Sequence, residues 1–127
     1  MVRRLHARLV VKGFRDETEV WNYQKPRLLG KWDRYELITP SGHPDVKGSH
    51  DKRIRYIENK VGTPSLKALE PSQHGYIRWL LQCYQEVWLC FGGAHSKSIK
   101  FFLLVDPGLH LLPPQSTPDF WNPTTRR

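Results

Sequence analysis

The chain has 127 residues, a mass of 15.0 kDa, a net charge of +8 and a sequence pI of about 9.8. This length predicts one domain with a modest core, and no apolar run approaches membrane length. The start Met-Val-Arg-Arg-Leu lacks the apolar core of a signal peptide, so we expect a soluble cytoplasmic protein, in a host cell if its source is a virus. The positive charge favours a phosphate backbone as partner.

The first third of the chain predicts a helix and then extended structure. Residues 2–14 fit a short helix or a strand equally well. Residues 15–24 fit a helix, and residues 25–31 form a connection that contains proline and glycine. Residues 32–38 fit an extended stretch, along which side chains alternate between two faces.

A buried strand is predicted at residues 53–61, which are rich in β-branched and aromatic side chains. Glu58 and Lys60 point to the same face of this strand, about 7 Å apart. Apolar residues on both faces indicate a sheet that is covered on both sides. Because the strand would bury Glu58 and Lys60, their charges need partners or a metal ion.

The upstream segment Gly-His-Pro-Asp-Val at 42–46 places Asp45 before this strand. Residues 47–52 are polar and turn-rich, which predicts a hairpin loop that brings Asp45 beside Glu58. Two carboxylates and one lysine on neighbouring segments suit a metal-dependent phosphodiesterase. Hard oxygen ligands favour Mg²⁺ or Mn²⁺, held by Asp45, Glu58 and a backbone oxygen of Ile57 or Asn59.

A second helix is predicted to start at Pro71, with apolar residues at helical spacing from Gln73: Ile77, Leu80, Leu81 and Tyr84. Gln73 then lies on the packed face, in the first turn, near the positive end of the helix. A glutamine there suits the orientation of a water or a phosphate. Glu70 is expected to cap this helix, with Ser72 as a competitor.

The ordered combination of Pro44-Asp45, Glu58-Asn59-Lys60 and Gln73 resembles the PD-(D/E)XK nuclease superfamily. Its VRR-NUC branch, which includes small stand-alone phage members, is the most similar. The resemblance covers residues 32–91. It implies an α/β fold, in which a small mixed β-sheet is flanked by helices in a restriction-endonuclease-like core.

The resemblance also implies roles for four residues. Asp45 and Glu58 would bind Mg²⁺ or Mn²⁺, Lys60 would help to activate water, and Gln73 would support the site. Members of this family usually carry a further acidic residue on an early helix. Glu36 is our preferred candidate, and the alternatives are Glu17 and Glu19.

The second half of the chain predicts a central strand at 87–91, another strand at 99–105, and a loop at 62–71 that could overlie the site. We expect the two cysteines, Cys83 and Cys90, to be buried free thiols.

One nuclease-like domain is predicted at residues 1–110. Residues 111–127 form a proline-rich tail, either extended over the surface or disordered until bound.

These patterns predict a metal-dependent endonuclease that hydrolyses phosphodiester bonds in DNA, with His43 as a possible phosphate contact or second base. A narrower hypothesis is junction or flap cleavage by a homodimer, since cutting two strands needs two sites. A non-catalytic nucleic-acid-binding protein is the main alternative, because the basic charge and five tryptophans would suffice for binding. A partner-binding protein that uses the tail is another.

Overall fold

The computed structural model describes residues 12–35, 42–106, 110–111, 113–114 and 118–124. Within these residues it has two α-helices and six strands. In chain order they are α1 (Glu17–Gln24), β1 (Lys31–Arg34), β2 (Val46–His50), β3 (Arg53–Val61), α2 (Pro71–Gln82), β4 (Glu86–Gly92), β5 (Ile99–Val105) and β6 (His110–Leu111). Short 3₁₀ helices cover Lys25–Arg27 and Leu66–Ala68.

The strands form one mixed sheet in which chain order and spatial order agree. β3 and β4 pair in parallel, whereas the other neighbouring strands pair antiparallel. A parallel pair needs a crossover connection, and α2 supplies it. The predicted α/β class, with a mixed sheet and flanking helices, is therefore confirmed.

Two apolar clusters cover the two faces of the sheet. On one face, α1 contributes Val20, which packs in a cluster with Ile57 of β3. On the other face, α2 contributes Ile77, which packs in a cluster with Tyr56 of β3 and Leu89 of β4. The prediction that the strand at 53–61 is covered on both sides is confirmed, and this double burial encloses the polar residues at its C-terminal end.

The C-terminal segment 118–124 contributes two aromatic side chains to the core. Phe120 is fully buried, Trp121 is 8% exposed, and a β-bridge joins Trp121 to Leu28. The guanidinium of Arg55, also fully buried, pairs with Asp119 at 2.8 Å. The prediction that the tail lies on the surface or is disordered is thus wrong for Phe120 and Trp121. The proline-rich composition gives no sign of the two buried aromatic side chains, or of the Asp119 carboxylate that pairs with the buried Arg55.

Replacing Phe120 with alanine should therefore destabilise the protein strongly. The ring contacts Trp88 and Phe101 in edge-on geometry, so its loss leaves a cavity in the core. We expect the free energy of unfolding to fall by about 3 kcal/mol, as measured by urea denaturation. Tyr84→Ala is the matched control, because Tyr84 is 96% exposed and should change stability by less than about 0.5 kcal/mol. Equal effects of the two substitutions would contradict this packing.

The hairpin between β2 and β3 is tighter than predicted. Residues 47–50 belong to β2, and only Asp51 and Lys52 form the turn, both with positive φ. The composition of β2 does not predict a strand, because it contains lysine, glycine and serine. Glycine is required at position 48, because a Cβ atom there would lie only 2.2 Å from the Trp32 ring.

Cys90 is buried, as predicted, and burial raises the pKa of its thiol. Cys83 is exposed, so the prediction of burial is wrong for it. Cys83 is the C-cap residue of α2, so it lies just beyond the last packed turn of the helix. Among the helices of the described residues, none combines the length and the apolarity that a membrane crossing needs.

Candidate active site

The β2–β3 hairpin brings Asp45 and Glu58 together, as the sequence predicts. Val46 pairs with Ile57, so Asp45 lies opposite Glu58. The amide N–H of Asp45 donates to Glu58 Oε1 at 3.3 Å, and the amide N–H of Asn59 donates to Asp45 Oδ1 at 3.3 Å. The backbone of Asp45 thus holds the Glu58 carboxylate, and the backbone of Asn59 holds the Asp45 carboxylate, at the C-terminal end of β3.

Gln73 joins Lys60 and Glu58 into one hydrogen-bonded group. Its Oε1 accepts from Lys60 Nζ at 3.0 Å, and its Nε2 donates to Glu58 Oε2 at 2.9 Å. Lys60 Nζ also lies 3.6 Å from Glu58 Oε2. These contacts hold the lysine ammonium beside the carboxylate and leave its side chain 14% exposed.

The start of α2 sets the position of Gln73. Pro71 is the first helical residue, and the amide N–H of Glu70 donates to Gln73 Oε1 at 2.9 Å. Gly42 lets the preceding loop approach this turn, because a Cβ atom there would meet the carbonyl oxygen of Ser72 at 2.1 Å. Glu70 is the N-cap, as predicted, and Gln73 faces the sheet.

The two carboxylates are electrostatically unfavourable as they stand. Burial, together with the charge of Asp45, raises the pKa of Glu58 to about 8, and the charge of Lys60 opposes this shift. Burial also raises the pKa of Asp45 to about 6, against the hydrogen bond from Asn59 and the charge of Arg34. A bound cation would offset this repulsion and favour both ionised forms.

The oxygen atoms of the two carboxylates would supply some, but not all, of the ligands that a hard divalent cation needs. Asp45 and Glu58 supply carboxylates, which Mg²⁺ and Mn²⁺ prefer. However, the described part of the chain contains no cluster of three or more acidic, histidine or cysteine residues suited to a metal. Water molecules and substrate oxygens would have to supply the other ligands.

Asn59 contributes to the site through its backbone. Its side chain lies on the opposite face of β3, where it is fully buried and exchanges two hydrogen bonds with Gln24, at 3.0 and 3.1 Å. The predicted role of Asn59 as a metal ligand therefore concerns its main chain alone. The sequence does not predict this role of Gln24, although its spacing from Val20 places both residues on the same face of α1.

Of the described early acidic residues, Glu17 is the one whose charge acts on Asp45. It is exposed at the start of α1, on the helical face that continues through Val20 and Gln24 to the sheet. Its charge contributes to the raised pKa of Asp45. Glu19 instead accepts hydrogen bonds from the backbone and side chain of Arg15. Glu36, the preferred candidate, lies outside the described residues.

Two further residues surround the carboxylates. Arg34 of β1 lies 3.7 Å from Asp45 Oδ2, an ion pair that sequence could not reveal without the β1–β2 register. His43 is half-buried and packs edge-on against three tyrosines: Tyr35, Tyr56 and Tyr76. These contacts hold its ring in place beside the site, and its role as a phosphate contact or second base stays a prediction.

Comparisons of this chain with protein-family models, with curated proteins and with solved structures find no significant match.

Proposed function

We propose that this protein is a Mg²⁺- or Mn²⁺-dependent endonuclease that hydrolyses phosphodiester bonds in DNA. The observation that carries the proposal is the convergence of Asp45, Glu58, Lys60 and Gln73 in one hydrogen-bonded cluster. The residues come from two strands and a helix, in the order that the resemblance to PD-(D/E)XK nucleases implies.

Asp45 and Glu58 would hold the metal ion between their carboxylates. When bound, such an ion lowers the pKa of a water and neutralises charge on the phosphorus oxygens. Lys60 would orient the attacking water or stabilise negative charge on the phosphate, since Gln73 and Glu58 fix its ammonium in place. Gln73 acts as a positioning residue through its contacts with both side chains.

Substitution of Asp45 tests the proposal directly. The full chain is incubated with supercoiled plasmid and with a synthetic four-way junction, in Mg²⁺, Mn²⁺ or EDTA. We expect metal-dependent cleavage by the wild type and a loss of at least about 100-fold in Asp45→Asn, since one of two metal-binding carboxylates is removed. Asp33→Asn is the matched control, because Asp33 lies exposed on β1. Cleavage that survives EDTA, or that Asp33→Asn reduces equally, would contradict the proposal.

The junction substrate also tests the narrower proposal of a structure-selective homodimer. A single copy of the cluster would nick one strand, whereas a two-fold dimer would cut two strands at symmetric positions. Symmetric cuts together with a dimeric mass in solution support this version. Single nicks by a monomer contradict it and leave the endonuclease proposal intact.

A non-catalytic nucleic-acid-binding protein is the second candidate. It is favoured by the lack of a third metal-binding side chain near Asp45 and Glu58 among the described residues. The net charge of +8 would support binding without metal. Under this candidate, DNA binding is unchanged by EDTA and by Asp45→Asn, and no product forms with either metal.

A further inference from the structure

We propose that a cavity near Lys60, lined in part by hydrogen-bond donors, is a second phosphate-binding subsite, which holds the DNA strand next to the cleavage site. The cavity has a volume of about 310 Å³ and opens between the loop that follows β3 and the loop that joins β4 to β5. This inference rests on the proposed function for the identity of the strand, although binding at the cavity is measurable without cleavage.

The sheet register places the cavity next to the candidate active site. Lys60 of β3 pairs with Phe91 of β4, and Phe91 pairs with Lys100 of β5. Residues that pair directly across strands project to the same face, so Lys100 shares a face with Lys60 two strands away. With neighbouring strands about 4.8 Å apart, the two backbones are ~10 Å apart. A strand that crosses the carboxylates can therefore reach both lysines.

This edge of the sheet is a favourable place for an anionic ligand. β3 and β4 are parallel, and their carboxyl ends meet at the cavity. Ligands of open α/β sheets bind in the crevice outside the carboxyl ends of the strands. The cavity and the cluster of Asp45 and Glu58 lie at the same end of β3.

Several of the side chains that line the cavity are hydrogen-bond donors, and they lie beside the apolar side chains of Pro64, Phe91 and Ala94. They include the ammonium of Lys100, the hydroxyls of Ser96 and Ser98, and the imidazole of His95, and all four residues are exposed. None of the described residues that line the cavity is acidic. An ammonium and hydroxyls suit the oxygens of a phosphate, whereas a metal ion would find no carboxylate here.

The loop that forms the cavity wall is held in place before any ligand binds. Gly93 donates its N–H to the carbonyl oxygen of Ser98 at 2.9 Å and accepts from the N–H of Phe14 at 2.8 Å. On the opposite wall, Gly62 donates to the carbonyl oxygen of Gly92 at 2.9 Å. Such fixed backbone reduces the ordering cost of binding.

A phosphate group could come from a nucleic-acid strand or from free inorganic phosphate. A nucleic-acid strand is the favoured source of this phosphate. Lys100 lies on the same face of the sheet as Lys60, and the protein carries a net charge of +8. A second contact of this kind would also position the scissile bond at Asp45 and Glu58, since one fixed phosphate restricts where the next can lie.

Binding of a fluorescently labelled single-stranded oligonucleotide tests the subsite. Affinity is measured in EDTA, which prevents the proposed cleavage, between 50 and 200 mM salt. We expect Lys100→Ala to weaken binding five- to tenfold and to reduce the salt slope by about one contact. Ser98→Ala should weaken binding two- to threefold without changing that slope. Lys31→Ala, which removes an exposed lysine on the far edge strand β1, should change affinity less than twofold.

Amide NMR shifts locate the contact. Addition of the oligonucleotide should move the amide signals of Gly93, Ser96 and Ser98. Equal effects of Lys100→Ala and Lys31→Ala, or shifts with inorganic phosphate and none with the oligonucleotide, would overturn the inference. Failure of the endonuclease proposal is separate, since it appears as absent metal-dependent cleavage while the Lys100-specific loss of binding persists.

Discussion

Replacing Lys60 with alanine should abolish cleavage and leave DNA binding largely intact. The Lys60 ammonium contacts Gln73 Oε1 and Glu58 Oε2, so it lies beside one of the two carboxylates that would hold the metal ion under the proposed function. Removal of a positioned proton-transfer or charge-stabilising group costs 10²–10⁴-fold in rate, and we expect a loss of about 10³-fold. The measurement compares initial rates of plasmid nicking with DNA affinity measured by fluorescence anisotropy.

Lys67→Ala is the matched control for this experiment. Lys67 is exposed in the 3₁₀ helix before α2, so its replacement removes the same charge without touching the cluster. We expect its cleavage rate to stay within about threefold of wild type. If Lys60→Ala reduced binding and cleavage by the same factor, Lys60 would be a DNA contact and its proposed role in catalysis would be wrong.

Periodicity and turn chemistry were enough to predict much of what positions the site. The strand at Arg53–Val61 and the helix at Pro71–Gln82 both follow from local sequence, since apolar spacing and the proline at the first turn agree. The same spacing predicts Gln73 on the packed face, and in the structure its side-chain amide contacts Glu58 and Lys60. Local rules succeed here because the contacts connect neighbouring elements.

Contacts between distant parts of the chain were the ones that sequence reasoning missed. Phe120 reaches the core, and Asp119 reaches the buried Arg55, only after the chain has passed the whole sheet, and no local pattern predicts either contact. The pairing of Arg34 with Asp45 depends on the β1–β2 register, and the Gln24–Asn59 pair depends on how α1 crosses β3. Such pairs are set by tertiary packing, which periodicity does not determine.

The buried polar groups also bear on the choice between enzyme and binding protein. A surface that only attracts DNA would expose its charges, because contact with phosphate needs access. Here Glu58 is 5% exposed and carries a raised pKa, an arrangement that lowers stability and gives no benefit to simple binding. Buried titratable groups with strongly shifted pKa values cluster at functional sites, which favours the endonuclease proposal.

The free energy of unfolding of the metal-free protein should fall as pH rises from about 4.5 to about 8. Burial raises the pKa of Glu58 from 4.5 to about 8 and that of Asp45 from 3.8 to about 6. The folded protein therefore keeps protons that the unfolded chain releases, so unfolding releases protons and higher pH favours it. The stabilisation is complete below the unfolded pKa values and is lost as pH rises through the folded ones.

We expect Tm to fall by roughly 10 °C between pH 5 and pH 8.5, as measured by calorimetry in EDTA. Glu58→Gln should flatten most of this profile, because the amide keeps the shape of the side chain and cannot ionise. Asp33→Asn should leave the profile unchanged, since Asp33 is exposed on β1. A wild-type Tm that is constant over this range would show that the two carboxylates ionise without cost, contrary to their burial.

Added Mn²⁺ should reverse the fall in Tm that occurs as pH rises, and the increase in Tm should be larger at high pH. A metal ion binds the ionised carboxylates of the folded state, so its stabilisation requires the deprotonation that otherwise lowers stability. We expect millimolar Mn²⁺ to raise the wild-type Tm by several degrees at pH 8 and by little at pH 5. The double variant Asp45→Asn/Glu58→Gln should show no shift at either pH. A shift of equal size in that variant would place the bound ion elsewhere and remove the main support for a metal-dependent enzyme.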